Sequence, residues 1–435
     1  MRTATVVIGA GYGDEGKGLI SDALVAAGGA DATVVRFNGG AQAGHTVSLD
    51  DGRRHVFHHV GSGTFAGAAT YLSRFFVANP ILLVEELGEL AALGLYPHIA
   101  IDPAAPVTTP YDMMINQIAE RARGEERHGS CGLGVGETVE RSMHPQFALT
   151  ANMLRKSDAV WATLLRIRSD WLPIRLAALG IRRLSQPDRA LIGSDAVLER
   201  WLDDVAAFLG AVTIGGAAAM LRRVPSFIFE GAQGLMLDQD HGAFPYVTRS
   251  NTGLRNVLAL APEMDIDRLD ITYVTRAYAT RHGAGPLAHE LLGAPHNRTA
   301  EETNIANPWQ GQLRYGVLDL SILQRAIAGD LSHAAGADIT TSHALAVTCL
   351  DQIGAGTTVV ASGRKVQAAP EALADMAARA VDAAGLSMSF GPTRSSVRQA
   401  NIQHSPRSRH VPGVFTRAQA GAVISPARRS AGPEC

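Results

Sequence analysis

The chain has 435 residues, 46% of them hydrophobic and 18% charged, with a formal net charge of −2. That size supports a large core, built as one sheet or as two subdomains around it, while the near-neutral balance excludes a global field for gripping nucleic acid or anionic lipid. No apolar run reaches the ~18 residues of a membrane span, and the three cysteines, Cys131, Cys349 and Cys435, are too scattered for a disulfide framework or a clustered metal site, so a protein of a reducing cytosol is expected.

Met1 to Gly9 carries an early Arg2, as a signal peptide does, but its apolar stretch is short and runs straight into glycines. Ala4 to Ala10 therefore reads as a first strand. Leu19, Ile20, Ala23 and Leu24 then recur at helical spacing, and a second apolar run, Ala32 to Phe37, follows Gly28-Gly29, which makes a βαβ unit. Helical patterns occupy much of Ala151 to Leu221, as helical insertions within a region of about 100–221. Further strands are expected at Ser226 to Phe229, Ile271 to Thr275, Leu345 to Leu350, Thr357 to Ala361 and Leu386 to Phe390, with a helix from Pro370 to Ala384 that has proline at its start. This alternation predicts an α/β fold, a mostly parallel central sheet covered by helices, in one catalytic domain over residues 1–398. From about Gln399 the periodicity fades and Arg407, Arg409, Arg428 and Arg429 gather among Pro and Ser. Residues 399–435 read as a flexible solvated tail, with a basic arm for a polyanion as the alternative.

Between the first strand and the first helix stands Gly11-Tyr-Gly-Asp-Glu-Gly-Lys17-Gly18, with four residues between Gly11 and Gly16 and then a lysine. This is the spacing of a phosphate-cradling loop, in which small residues let N–H groups approach phosphate oxygens at a helix N-terminus. A plain glycine turn and a dinucleotide loop through Gly11, Gly13 and Gly16 are the alternatives. Such a loop usually carries Ser or Thr at position 18 to ligate Mg²⁺, and Gly18 has no oxygen to offer. Asp14, a carboxylate set among phosphates, is the candidate for the metal or for proton transfer.

Four further segments accompany the loop: Arg36-Phe-Asn-Gly-Gly-Ala-Gln-Ala-Gly44-His45-Thr46; Phe229-Glu-Gly-Ala-Gln-Gly234 leading into Asp238 to Thr252; Tyr278-Ala-Thr-Arg-His-Gly-Ala-Gly-Pro286; and the pair Thr348-Cys-Leu-Asp351 and Gly391-Pro-Thr-Arg394. With these the chain resembles the adenylosuccinate synthetases, from about residue 5 to 398. The resemblance implies a carbon–nitrogen ligase of purine nucleotide biosynthesis. It phosphorylates the oxygen of a 6-oxopurine nucleotide such as IMP, using GTP or ATP with Mg²⁺, and then displaces the phosphate with the amino group of aspartate, acting as a cytoplasmic homodimer. Asp14 would be the general base and touch Mg²⁺ together with the carbonyl of Gly44, and His45 would be the acid facing the transferring phosphoryl group. Lys17 would bridge nucleotide and substrate oxygens, and Gln233 would hydrogen-bond the oxygen being phosphorylated. The triphosphate would lie on Gly13, Glu15, Gly16, Lys17, Gly18, Gly44, His45 and Thr46, with Thr348, Asp351, Ser389 and Gly391 about its base. The substrates would meet Asp14, Gln42, Ser130, Cys131, Gln233, Thr248, Asn307, Gln310 and Arg314.

Several substrate positions depart from that family pattern. The usual asparagine before Gly-His-Thr is Gln42, and the preceding histidine is Ala41. The phosphate segment Gly129-Ser-Cys-Gly-Leu-Gly-Val-Gly136 loses a threonine hydroxyl at Cys131 and an arginine at Leu133. An arginine that the family borrows from its partner subunit falls near Pro145, with Arg141 close by. The arginine-dense amino-acid loop is replaced by Asn307 to Gly316, which keeps Arg314, and the lysine before the base-reading Asp351 is replaced at Cys349. Arginine at a bidentate position is not interchangeable with Leu or Cys, so a ligase of the same type acting on another nucleotide or another amine is the alternative reading. A nucleotide-binding regulator without turnover is a further one.

Overall fold

The run Thr3–Gly9 forms a strand (β1) buried along most of its length, because neighbours cover it on both edges and both faces. The computed structural model describes residues 2–29, 31–299 and 311–400. Nine further strands join β1 in one sheet: β2 (Ala32–Arg36), β3 (Ala69–Leu72), β4 (Ile99–Ile101), β5 (Val212–Ile214), β6 (Ser226–Gly234), β7 (Arg268–Arg276), β8 (Thr340–Thr348), β9 (Leu386–Ser389) and β10 (Val397–Ala400). Their order is β10-β9-β8-β7-β1-β6-β2-β3-β4-β5. Every neighbouring pair is parallel except β9 with β10. The predicted mostly parallel sheet is therefore observed, and β2 is buried at all five positions, Thr33 and Arg36 included, as in a strand covered on both faces.

Helix α1 (Lys17–Gly28) returns from β1 and is bounded by Gly16 at φ 91° and Gly29 at φ 98°. Helix α2 (Pro80–Ala92) begins with proline after the cap Asn79. Helix α3 (Pro110–Arg123) has a full capping box between Thr109 and Asp112, and α4 (Val135–Ser142) starts after Gly134 at φ 76°. One large apolar cluster packs sheet residues such as Val6, Phe229 and Tyr273 against helices Leu320–Leu331 and Pro370–Ala380. A second lies among α2, α3 and helix Asp195–Ala211, around Leu83, Ile115, Trp201 and Phe208. No helix among the described residues is long and apolar enough to cross a membrane.

The structure corrects the sequence reading in five places. The segment read as helical contains β5, and the helices between β4 and β5 form one long crossover between adjacent parallel strands. Three-residue strands are too short to display a period. The strand expected at Leu345 to Leu350 begins at Thr340 and stops at Thr348, because Cys349 adopts φ 59°. Thr357–Ala361 is a strand, but it pairs with Arg364–Ala368 as a separate hairpin, and the helix from Pro370 ends at Ala380. Gln399, read as the start of the tail, pairs with Ser387 inside the sheet; the rest of that expected tail lies outside the described residues.

Candidate active site

In a parallel sheet, ligand sites form beyond the carboxyl ends of the strands. Here the end of β1 leads into the glycine loop, β2 into the Asn38–Gly44 segment, β6 ends at Gln233-Gly234, and β7 and β8 end at Arg276 and Thr348. All of these ends except that of β8 border one cleft of about 750 Å³ whose wall includes Asp14, Lys17, Gln42, His45, Gln233 and Thr248. Among the described residues, three of the seven non-glycine residues with positive φ stand at these strand ends or in the loop: Asp14 at 61°, Gln233 at 62° and Cys349 at 59°. Left-handed backbone at residues with side chains persists where the surroundings over-determine it, as they do around functional sites.

The loop is braced by its own carboxylate. Glu15, 3% exposed, accepts from Gly11 N at 3.0 Å and Gly13 N at 2.8 Å and pairs with Lys17 Nζ at 2.6 Å. The Gly11 and Gly13 amides are thus used by Glu15, which leaves the first N–H groups of α1, without acceptors inside the helix, as the donors a phosphate would meet. Thr348 Oγ1 donates to Glu15 O at 2.7 Å, tying the expected base-reading element to the loop. Gly18 has a steric reason: a Cβ there would stand 3.0 Å from Thr46 O and 3.1 Å from His45 Cβ.

Asp14 is half-buried, and Arg276 Nε donates to its carbonyl at 2.5 Å. Burial raises the Asp14 pKa, opposed by His282, Arg276 and Lys17. His45 begins the strand His45–Ser48 and is 5% exposed. Its Nδ1 lies 3.2 Å from Glu230 Oε1, while Arg36 Nη1 donates to Glu230 Oε2 at 3.0 Å. Burial, reinforced by Arg36 and Lys17 and opposed by Glu230, lowers His45 to about 4, and its Nε2 has no protein partner. Burial works against the charge of Glu230, yet His45 and Arg36 hold it down at about 2. The amide of Gln42 is likewise buried with neither atom paired, and Gln233 Oε1 would be 3.3 Å from a Cβ at Gly13.

Ser130 Oγ accepts from Asn116 at 2.7 Å, and burial pushes the neighbouring Cys131 thiol up to about 11. Both line the cleft with Thr248, Arg249 and Arg175. Arg175 pairs with Glu137 at 2.6 Å and Arg249 with Glu140 at 2.8 Å. Arg141 is fully buried, held by Asp112 at 2.8 Å and by the Phe147 and Val107 carbonyls. It therefore does not stand in for the missing family arginine. Arg314, expected at the substrate, is tied to Glu290 and to the carbonyls of Gly283 and Gly285 and is not in the cleft wall. Asn307 and Gln310 lie outside the described residues. Asp238 and Asp240 brace their own loop: Asp238 accepts from Thr252 N at 2.7 Å and Asp240 pairs with Arg255.

The expected base-reading residues sit beyond the loop at the ends of adjacent strands. Asp351 is exposed after Cys349, and Ser389 Oγ donates to Gly391 O at 2.7 Å. As for Mg²⁺, Asp14 and Gly44 offer oxygen donors in the same cleft wall. A hard cation that takes one or two protein oxygens and completes its shell from phosphates and water fits this set. Sequence reasoning did not single out Glu230, Arg36, Arg276 or His282. The signal for the first two was a charge placed directly after an apolar stretch, Glu230 after Phe229 and Arg36 after Val35.

A family model described as adenylosuccinate synthetase matches residues 6–387. An adenylosuccinate synthetase of Xanthomonas campestris is 36% identical over 341 residues, 75% of each chain, and one of Stenotrophomonas maltophilia is 35% identical over 339 residues at the same coverage. Among solved structures, the fully ligated adenylosuccinate synthetase from Plasmodium falciparum is similar with a TM-score of 0.63 at 20% identity, over 91% of this chain and 99% of that one. A cyanophage S-2L succinoaminodeoxyadenylate synthetase bound to dGMP and dATP is similar with a TM-score of 0.58 at 17% identity, over 92% and 95%.

Proposed function

The chain belongs to the adenylosuccinate synthetase family, a family of carbon–nitrogen ligases, and from that premise we propose that it joins L-aspartate to a 6-oxopurine nucleotide at the expense of a nucleoside triphosphate. The observation that carries this reading is the convergence of Asp14, Lys17, His45 and Gln233 on one cleft at the carboxyl ends of the strands. Asp14 takes the ring proton, which makes the purine oxygen nucleophilic, and Gln233 orients that oxygen. His45 reaches the phosphoryl group through its free Nε2, with Nδ1 held between Glu230 and Arg36. Burial holds His45 neutral in the unliganded protein, and the negative charge of a bound triphosphate raises the ring's affinity for a proton taken from solvent. Lys17, leaving Glu15, neutralises charge along the transfer path. Mg²⁺, held by Asp14 and Gly44, would supply further neutralisation on the phosphates.

GTP is the expected donor, because a carboxylate such as Asp351 accepts from both the ring N–H and the amino group of guanine. The enzyme is taken as a cytoplasmic homodimer with a single catalytic domain to about residue 398. The second reading, a ligase for another nucleotide or amine, is favoured by Cys131, by Leu133 and by the engagement of Arg314 with Glu290. Purified protein with IMP or GMP, aspartate, and GTP or ATP, followed by phosphate release and product mass, separates them. Condensation with IMP and aspartate is expected. Turnover confined to another acceptor or amine supports the second reading.

A further inference from the structure

Past β7 the chain forms the short strand Ala279–Arg281, paired with Arg314–Gly316, and His282 follows at once. The turn after it is rigidly set. Arg281, 2% exposed, donates to the carbonyls of Ala284, Pro286 and Tyr246 at 3.0, 2.9 and 2.9 Å. Gly283, at φ 73°, packs against the Gly129 backbone, where an added Cβ would come within 3.2 Å. This fixes His282 in the cleft wall with Nε2 3.6 Å from Asp14 Oδ2. Its Nδ1 is buried without a protein partner. An orphaned buried N–H is rarer than an orphaned acceptor, and Nε2 faces the Asp14 carboxylate, so the ring proton belongs on Nε2. Asp14 itself is pinned at the backbone, by φ 61° and by Arg276 on its carbonyl. Neither of these sets the rotation of its carboxyl group.

We propose that His282 is a positioning residue for the base: its Nε2–H holds one oxygen of Asp14 and leaves the other turned to the acceptor's ring proton. The inference rests on Asp14 being that base. The present gap exceeds a hydrogen bond and closes by a side-chain rotation, as catalytic contacts do when substrate enters.

The test uses the full-length protein with ¹⁵N-labelled histidine, as wild type, Asp14→Asn, His282→Gln and His282→Phe. The His282 ring signals are expected to report the Nε2–H tautomer and to move in Asp14→Asn, a readout independent of which acceptor the enzyme uses. In steady-state assays His282→Gln, which keeps an N–H donor, should stay within about threefold of wild-type kcat, whereas His282→Phe should lose about ten- to hundredfold with KM for both nucleotides nearly unchanged. Unmoved His282 signals in Asp14→Asn overturn the proposal, as do wild-type kcat in His282→Phe, a glutamine variant as slow as the phenylalanine one, or a loss carried by KM alone. If wild type condenses no purine acceptor, the reading of the reaction fails first, and the spectra still decide the Asp14–His282 contact.

Discussion

In the proposed reaction a carboxylate and an imidazole take opposite tasks, and their surroundings differ accordingly. Asp14 sits half-buried on a left-handed residue with its side chain toward the cleft, so replacing it by the isosteric amide keeps shape and removes proton acceptance. Asp14→Asn should bind nucleoside triphosphate about as wild type does and lose at least about 100-fold in kcat; a variant with more than roughly a tenth of the wild-type rate contradicts the base assignment. His45 is anchored at Nδ1 by a buried Glu230–Arg36 pair and open at Nε2. An anchored ring with one free nitrogen suits the proton-transfer role proposed for it. His45→Gln should therefore lower kcat far more than it weakens binding of either nucleotide, and parallel losses in both would mark a structural histidine instead.

At the scale of the element, the loop and the hairpin His45–Ser48 with Arg54–Phe57 are packed as one unit across Gly18. This explains a feature that the sequence displayed without its cause. The absence of a hydroxyl at position 18 was visible from the motif spacing, and so was the need for another metal ligand. The close approach of Thr46 O was not, since it depends on a hairpin folding back over α1. Gly18→Ser, which restores the hydroxyl of the common phosphate loop, should give no gain in metal or nucleotide binding. Its Cβ must displace Thr46 or His45, and overpacking of this kind costs about 1–3 kcal/mol of stability, so the variant should melt at a lower temperature, and kcat should fall as His45 is moved, read by thermal melts and steady-state kinetics. Equal or higher activity would show that the hairpin yields. Legibility followed the same line elsewhere: β1, α1 and β2 announced themselves by period and glycine punctuation, whereas β4 and β5, three residues each, and the Glu230–Arg36–His45 contact depend on strand order, which no local pattern encodes.

For the whole molecule, the question is what holds the first helix to the last motif, since the described chain closes its sheet with β10. Asp22, on α1 and fully buried, meets Arg394 Nε at 3.0 Å, and its Oδ1 has no protein partner. Burial, with Arg394 opposing and Glu230 assisting, raises its pKa from 3.8 to about 6. The folded protein therefore holds this proton more tightly than the unfolded chain. Between pH 3.8 and about 6 the native state binds more protons, so stability falls as pH rises across that window, and the full cost is present above it. The shift corresponds to about 3 kcal/mol at most, with the attraction of Arg394 already included. Asp22→Asn removes the ionisable group and keeps the volume, and it leaves Arg394 a quarter exposed to water. The variant should melt at a higher temperature than wild type at pH 8, and the difference should shrink toward zero near pH 4. A variant that is less stable at pH 8 would show instead that the Asp22–Arg394 pair is a net tie between α1 and the C-terminal motif, strong enough to outweigh the desolvation of a buried carboxylate.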